Sequence, residues 1–375
     1  MISRCAVHKG IAGIRHCFLL FWGIGLVISP ACSLPKANGN QKVEIAKTVP
    51  KVQAPVSIEF AQLLTRICWV IGDSENLYKS TDGGNSWPQI YSVAPQSGKA
   101  QKIMGFSFID PQTGFLIVDG QLLRTEDGGT TWSQVGTIGS GTREIFFESC
   151  YFIDHLRGWA VGGIWQKGWV YNPRVPAYTG AVFATQDGGK TWQQQRIDIP
   201  AGYFEEGKRW SFRNLFFSDA RTGWAVGNGV IFWTIDGGQT WHLANARQAD
   251  YKYVCFSDNQ NGWAIQREGS EFVVTSDGGR TWNWVYGPPP YGARPVHIVF
   301  LTHNHGFAAL LGLYETRDGG QSWVRTGIGD EDNEVYDYLS RTKDGAMITL
   351  RLDGDGVNAF ISTDEGVSWQ SANLK

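Results

Sequence analysis

The chain has 375 residues, 42% apolar and 13% aromatic, with a formal net charge of -2. That is enough apolar content for a large core and too little positive charge for an evident nucleic-acid binder. Its six cysteines show no metal-ligand spacing and no disulfide framework, and no glycine-rich stretch is suited to cradling a phosphate, so neither a metal nor another cofactor is expected.

The first 43 residues contain no acid; Arg4, Lys9 and Arg15 precede an apolar run over residues 17–28. A basic leader followed by about 12 apolar residues is short for a membrane span and suits an export signal. Ser29-Pro30-Ala31-Cys32 resembles a bacterial lipoprotein box in which Cys32 would be acylated. Ordinary cleavage near Ala31 and an uncleaved amino-terminal anchor remain open beside it. The expected division is a signal over 1–31, a tether over 32–55 marked by Pro35, Pro50 and Pro55, and one globular unit over 56–375. Loss of residues 1–31 would move the net charge to about -5, and the expected location is exported: periplasm, thylakoid lumen or cell surface, attached to a membrane.

From there the chain repeats one phrase seven times, first as Ser80-Thr81-Asp82-Gly83-Gly84-Asn85-Ser86-Trp87. The pattern is [ST]-x-D-[GE]-G-x-[ST]-W, with aspartates at Asp82, Asp127, Asp187, Asp236, Asp277, Asp318 and Asp364, spaced 45, 60, 49, 41, 41 and 46 residues apart. A period of that size belongs to radial or solenoidal architectures. Asp-Gly between apolar runs is a strong hairpin signal; glycine supplies the backbone angles, the carboxylate folds back on turn N–H groups, and Trp buries a large ring against the hairpin. The seven aspartates are therefore read as ties of turns and not as catalytic groups.

A second phrase precedes most of these by about 25 residues. It is clearest as Phe152-Ile153-Asp154 through Gly158-Trp159-Ala160-Val161-Gly162 and as Phe217-Ser218-Asp219 through Gly223-Trp224-Ala225-Val226-Gly227. It supplies strands one and two of a repeat, and the Asp-Gly phrase joins strands three and four. Four strands per repeat and seven repeats predict an all-β fold, a seven-bladed propeller of four-stranded antiparallel blades. Cys68, Cys150 and Cys255 fall in apolar strands of repeats one, three and five and are read as buried free thiols.

The phrase is the Asp-box, also called the bacterial neuraminidase repeat, and over residues 57–375 the chain resembles Asp-box propellers. The dense boxes with Gly-Trp-Ala-Val-Gly half a blade earlier are similar to the photosystem II assembly and stability factors of cyanobacteria and chloroplasts. That resemblance implies an exported, non-catalytic propeller that helps reaction-centre intermediates assemble, with a protein partner such as a photosystem II intermediate. That family presents an arginine patch to its partner; here the arginines are scattered, so the patch is not carried over.

Sialidases are the more distant resemblance and imply the alternative, a glycoside hydrolase or sugar-binding propeller. Their Arg-Ile-Pro phrase on the first inner strand has no counterpart in Val56-Ser57-Ile58-Glu59-Phe60-Ala61.

In a four-stranded meander the turns after strands one and three share one face of the disc, and those after strands two and four share the other. The expected long insertions, 91–101, 136–148, 163–180, 196–211, 286–295 and 327–337, all belong to the second set, where loop-borne function is expected. Trp165, Trp169, Tyr171, Tyr178, Tyr203, Arg209 and Trp210 are the expected partner contacts, because aromatic and Arg side chains on adjacent loops suit recognition.

Overall fold

Short apolar runs closed by Asp-Gly turns can bury both faces only if sheets stack against one another, and that governs the architecture. The computed structural model describes residues 60–374 except 64–66, 73–74, 82–87, 94–100, 136–142, 167–177, 204–209, 268–270, 289–296, 329–335, 342–346, 354–355 and 363. The export segment, Cys32 and the first Asp-box with Asp82 therefore lie outside the described residues. Within them all extended structure is strand, arranged as seven sheets over residues 60–92, 103–134, 143–194, 212–243, 251–286, 297–325 and 336–374. Each is an antiparallel meander in chain order. Successive inner strands, from Phe60–Leu63 to Tyr336–Arg341, pack side by side around the axis of a propeller.

The core lies between sheets. Trp69, Leu77, Ile103, Phe106 and Phe108 join the first two sheets, and Trp159, Val182, Phe212, Phe217 and Trp241 join the third and fourth. An aromatic near the start of the second strand lies flat on the Phe that ends the inner strand of the next sheet. The pairs are Trp69 on Phe108 (centroids 4.0 Å), Phe115 on Phe152 (3.4 Å), Trp159 on Phe217 (3.7 Å), Trp224 on Phe256 (3.4 Å) and Trp263 on Phe300 (3.4 Å). Three indoles also reach the next sheet's Asp-box: Trp159, Trp224 and Trp263 donate Nε1–H to the carbonyls of Gly237, Gly278 and Gly319 at 2.8, 2.9 and 3.0 Å.

In the first two sheets a cation on the third strand takes that place. Lys79 Nζ, above the Trp69 ring, donates to Gly128 O at 3.1 Å, and Arg124 Nη1, above Phe115, donates to Gly188 O at 3.0 Å. The two repeated phrases thus interlock from one sheet to the next.

The Asp-boxes are hydrogen-bonded as expected. In the box of residues 125–132, Asp127 Oδ1 accepts from Thr125 Oγ1 (2.8 Å) and Thr131 N (2.9 Å), and Oδ2 accepts from Thr131 Oγ1 (2.6 Å). Gly129 N donates to Thr125 Oγ1, and Trp132 Nε1 donates to Gly129 O. The pattern recurs around Asp187, Asp277, Asp318 and Asp364. Around Asp236 the outer strand already begins at Thr240, and Trp241 Nε1 is buried with no hydrogen-bond partner among the described residues. In the last box Glu365 stands where the others have glycine and is held at φ 59°.

Several expected loop boundaries are corrected. The third sheet is taller than its neighbours: its first three strands are Arg143–Phe152, Gly158–Gln166 and Tyr178–Thr185, with 10, 9 and 8 residues. Those of the second sheet have 6, 5 and 5. Residues 143–147, 163–166 and 178–180, expected in loops, are paired strand because Ile145, Ile164 and Ala181 carry the apolar packing upward. Arg196–Asp198, also expected in a loop, forms a fifth strand parallel to Thr240–Leu243 on the outer edge of the fourth sheet. Cys150 and Cys255 are free and buried, as expected.

Candidate functional site at the channel mouth

The inner strands share a device that the repeat phrases do not advertise. Each of five carries a β-bulge, with the extra residue at Met104, Glu148, Arg213, Lys252 and Asp337. All five stand four residues before the end of their strand. A bulge leaves its extra residue out of the ladder and re-aims it. Each inner strand begins on the face of the longer connections, so the bulges at Met104, Arg213, Lys252 and Asp337 lie at that end of their strands, and Glu148 lies below the top of the taller third sheet.

The bulges of the third and fourth sheets explain the last glycine of Gly-Trp-Ala-Val-Gly. A Cβ at Gly162 would fall on Phe146 O, and one at Gly227 would fall on Ser211 O, with Phe212 Cα 2.7 Å away.

Met104 packs against the apolar core between the second and third sheets. The charged positions make a cluster. Arg213, 8% exposed, holds Asp250 in a two-pronged ion pair, Nε to Oδ1 at 2.6 Å and Nη2 to Oδ2 at 3.0 Å. Arg267, at the end of the fifth sheet's second strand, brings Nη1 within 3.6 Å of Asp250 Oδ2. Glu148 is 6% exposed beside them. Burial pushes its carboxyl up to about 7, with Asp250 adding to the rise and Arg213 and Arg267 opposing it. Further round, burial and then the nearby Lys252 charge lower His297 to about 3, so this imidazole is neutral at ordinary pH.

Of the expected contact residues, the structure describes the side chains of Trp165, Tyr203 and Trp210. Trp165 is 37% exposed at the top of the tall third sheet, where its backbone pairs with Glu144 and Tyr178. Tyr178 lies in a strand and not in a loop. Trp169, Tyr171 and Arg209 fall outside the described residues. Tyr203 is half-buried; its hydroxyl donates to Gly229 O at 3.3 Å, and Gln248 Nε2 donates to its carbonyl at 3.0 Å, so it braces one connection against another.

Trp210 is corrected outright. At 6% exposure it is core, edge-on to Phe212 and stacked with Phe232, because the chain already turns inward there to start the fourth sheet. Glu148, Asp250 and Arg267 had no motif to mark them. A repeat-by-repeat alignment would have found Glu148 and Arg213 at the position four before the strand-ending Phe.

Residues 208–375, from the start of the fourth sheet onward, match the family model of the photosynthesis system II assembly factor YCF48. The photosystem II assembly lipoprotein Ycf48 of Synechococcus sp. (strain CC9902) is 28% identical over 159 residues, 40% of this chain and 46% of that relative, so the match spans under half of the relative's length. Among solved structures, YCF48 bound to D1 peptide has 18% identity and a TM-score of 0.57, covering 82% of this chain and 91% of that one. YCF48 from Cyanidioschyzon merolae has 16% identity and a TM-score of 0.55, covering 83% and 95%. An ancestral GH74 enzyme has 17% identity and a TM-score of 0.57, covering 87% of this chain and 48% of its own. At such identities the structures speak to the fold alone. The chain is an Asp-box β-propeller that resembles the photosystem II assembly and stability factor family.

Proposed function

We propose that this protein is a non-catalytic assembly factor of the photosystem II type, held to a membrane by its amino-terminal segment, that docks an exposed segment of a protein partner on its long-loop face. The reading rests on one coincidence. The stretch similar to the YCF48 family model, 208–375, supplies Arg213, Asp250 and Arg267, the charged part of the channel mouth. A structurally similar YCF48 is described as bound to D1 peptide, which makes a peptide segment the natural occupant to test.

The chemistry of the mouth suits binding better than hydrolysis. A glycosidase needs two carboxyl groups free to act on either side of the bond. Asp250 is tied in both prongs of the Arg213 ion pair, and Glu148 is buried. Trp165, Trp169, Tyr171, Tyr178, Tyr203 and Arg209 remain the proposed contact set around that mouth, with Trp210 withdrawn to the core.

The test is affinity co-purification of the tagged full-length protein from detergent-solubilised membranes of its own organism, in wild type and in the Trp165→Ala variant. Photosystem subunits with the wild type, reduced with the variant, are expected. An eluate without membrane subunits, together with release of sugar from a panel of sialosides and glucans, would overturn the reading in favour of a hydrolase.

A further inference from the structure

Glu148 is the one acidic residue that a bulge turns toward the mouth with its side chain described, and it is almost fully buried. The charged groups that face it come from two other elements: Arg213 on the inner strand of the fourth sheet, and Asp250 and Arg267 flanking the first two strands of the fifth. The second sheet contributes the uncharged Met104 at the equivalent position. Arg213 already spends both faces of its guanidinium fork on Asp250. A second carboxylate beside that pair gains Arg213 by drawing it away from Asp250, and Arg267, 3.6 Å from the same carboxylate, is the other cation within its field.

We propose that Glu148 is a proton-operated counter-ion of the channel mouth: protonated, it leaves Arg213 committed to Asp250; ionised, it competes with Asp250 for Arg213 and Arg267. The step is a proton exchange with solvent and nothing else. With Glu148 neutral, two arginines and one aspartate leave the cluster with a charge of +1; with Glu148 ionised the cluster is neutral. Lys252 adds the same charge in both states, and the neighbouring His297 stays uncharged because burial holds its proton affinity down. An anionic group approaching the mouth therefore meets net positive charge in the cluster only on the acid side of the transition. The buried position places that transition near neutrality, well above the range of an exposed glutamate. The inference goes beyond the docking role and does not depend on it, since the exchange belongs to the free protein.

Side-chain carboxyl NMR of the full chain with labelled glutamate, followed from pH 4 to 9, tests it directly. The resonance lost in Glu148→Gln is expected to titrate near neutrality, and the Arg213 Nε–H signal is expected to shift with the same midpoint. Asp250→Asn removes the like charge and releases Arg213, so the Glu148 midpoint should fall by about one unit or more. Arg267→Gln should raise it, and serves where Asp250→Asn fails to fold. A wild-type midpoint below pH 5, an Arg213 signal that does not follow Glu148, or a midpoint indifferent to both substitutions would overturn the proposal.

Discussion

The two faces of the ring are built from the same repeats and treat them in opposite ways. On the face of the short turns, the boxes of Asp127, Asp187, Asp277, Asp318 and Asp364 repeat one set of hydrogen bonds, and the carboxylates are consumed by their own turns; Asp127 is held down to about 2, first by the Thr131 hydroxyl and amide and then by Thr125. Toward the other face one backbone feature is repeated, the bulge four residues before the end of the inner strand, while the residue there changes from Met to Glu to Arg to Lys to Asp. Where conformation and side chain repeat together, the residues serve the fold. Where only the conformation repeats, the side chains are free to serve recognition.

The sharpest way to break the comparison is to deny the bulge its glycine. Gly227→Ala would drive a methyl into Ser211 O and Phe212 Cα, backbone atoms that cannot yield as a side-chain end can. We expect a loss of about 3 kcal/mol in urea unfolding, at the upper end for overpacking. Gly327→Ala, with nothing within 4 Å of the added methyl, is the control and should stay within about 0.5 kcal/mol of wild type. Equal effects would mean that the bulge is not fixed by close approach of the chain.

Next comes the charge that the bulge carries. The native Glu148 carboxyl titrates near 7, above its ordinary 4.5, so the unfolded chain releases its proton first as pH rises. Between those values the native state binds more protons, and stability must fall with rising pH until both states are ionised. Relative to wild type, Glu148→Gln should therefore gain about 3 kcal/mol on going from pH 4.5 to pH 8, read as the change in the difference between their unfolding free energies. A difference that is flat across this window would remove the buried, near-neutral carboxyl from the account.

A smaller contrast lies within the interlock. Trp224 Nε1 donates to Gly278 O, whereas Trp69 Nε1 is buried with no hydrogen-bond partner among the described residues, its task taken by Lys79. Replacing either by Phe removes similar ring area, but only Trp224→Phe leaves a carbonyl without its donor. Trp224→Phe should cost about 1 kcal/mol more than Trp69→Phe. Equal costs would show that the indole N–H adds nothing beyond the stacked ring.

How much of this was legible in the sequence follows the same division. The box at 125–132 could be read because Asp, Gly, Thr and Trp each have a local task, and local tasks leave a fixed spacing. The number of sheets followed from that spacing. The third sheet's height did not, since Gly163 and Gly180 look like loop residues yet lie in paired strands. Trp210 was misread for a related reason: an aromatic beside a polar connection resembles a recognition residue until the next strand is known to begin at Phe212. The Arg213–Asp250 pair spans 37 residues and two sheets, and only the packing of the fourth sheet against the fifth brings its members together.

The smallest effect should come from the box that departs from the pattern. In the last box Glu365 takes the position occupied by glycine in the others, and it adopts φ 59°, the left-handed region that a Cβ resists. Its neighbours Asp364, Ser362 and Ser368 keep the usual bonds, so the turn itself imposes the angle on Glu365. Glu365→Gly should relieve that strain, partly offset by the greater freedom of glycine in the unfolded chain, for a net gain of about 0.5 kcal/mol. A gain in thermal unfolding would mean that the Asp-box hydrogen bonds are strong enough to hold a residue against its own preference. A loss would mean that the Glu365 side chain contributes something at this turn that the other boxes do without.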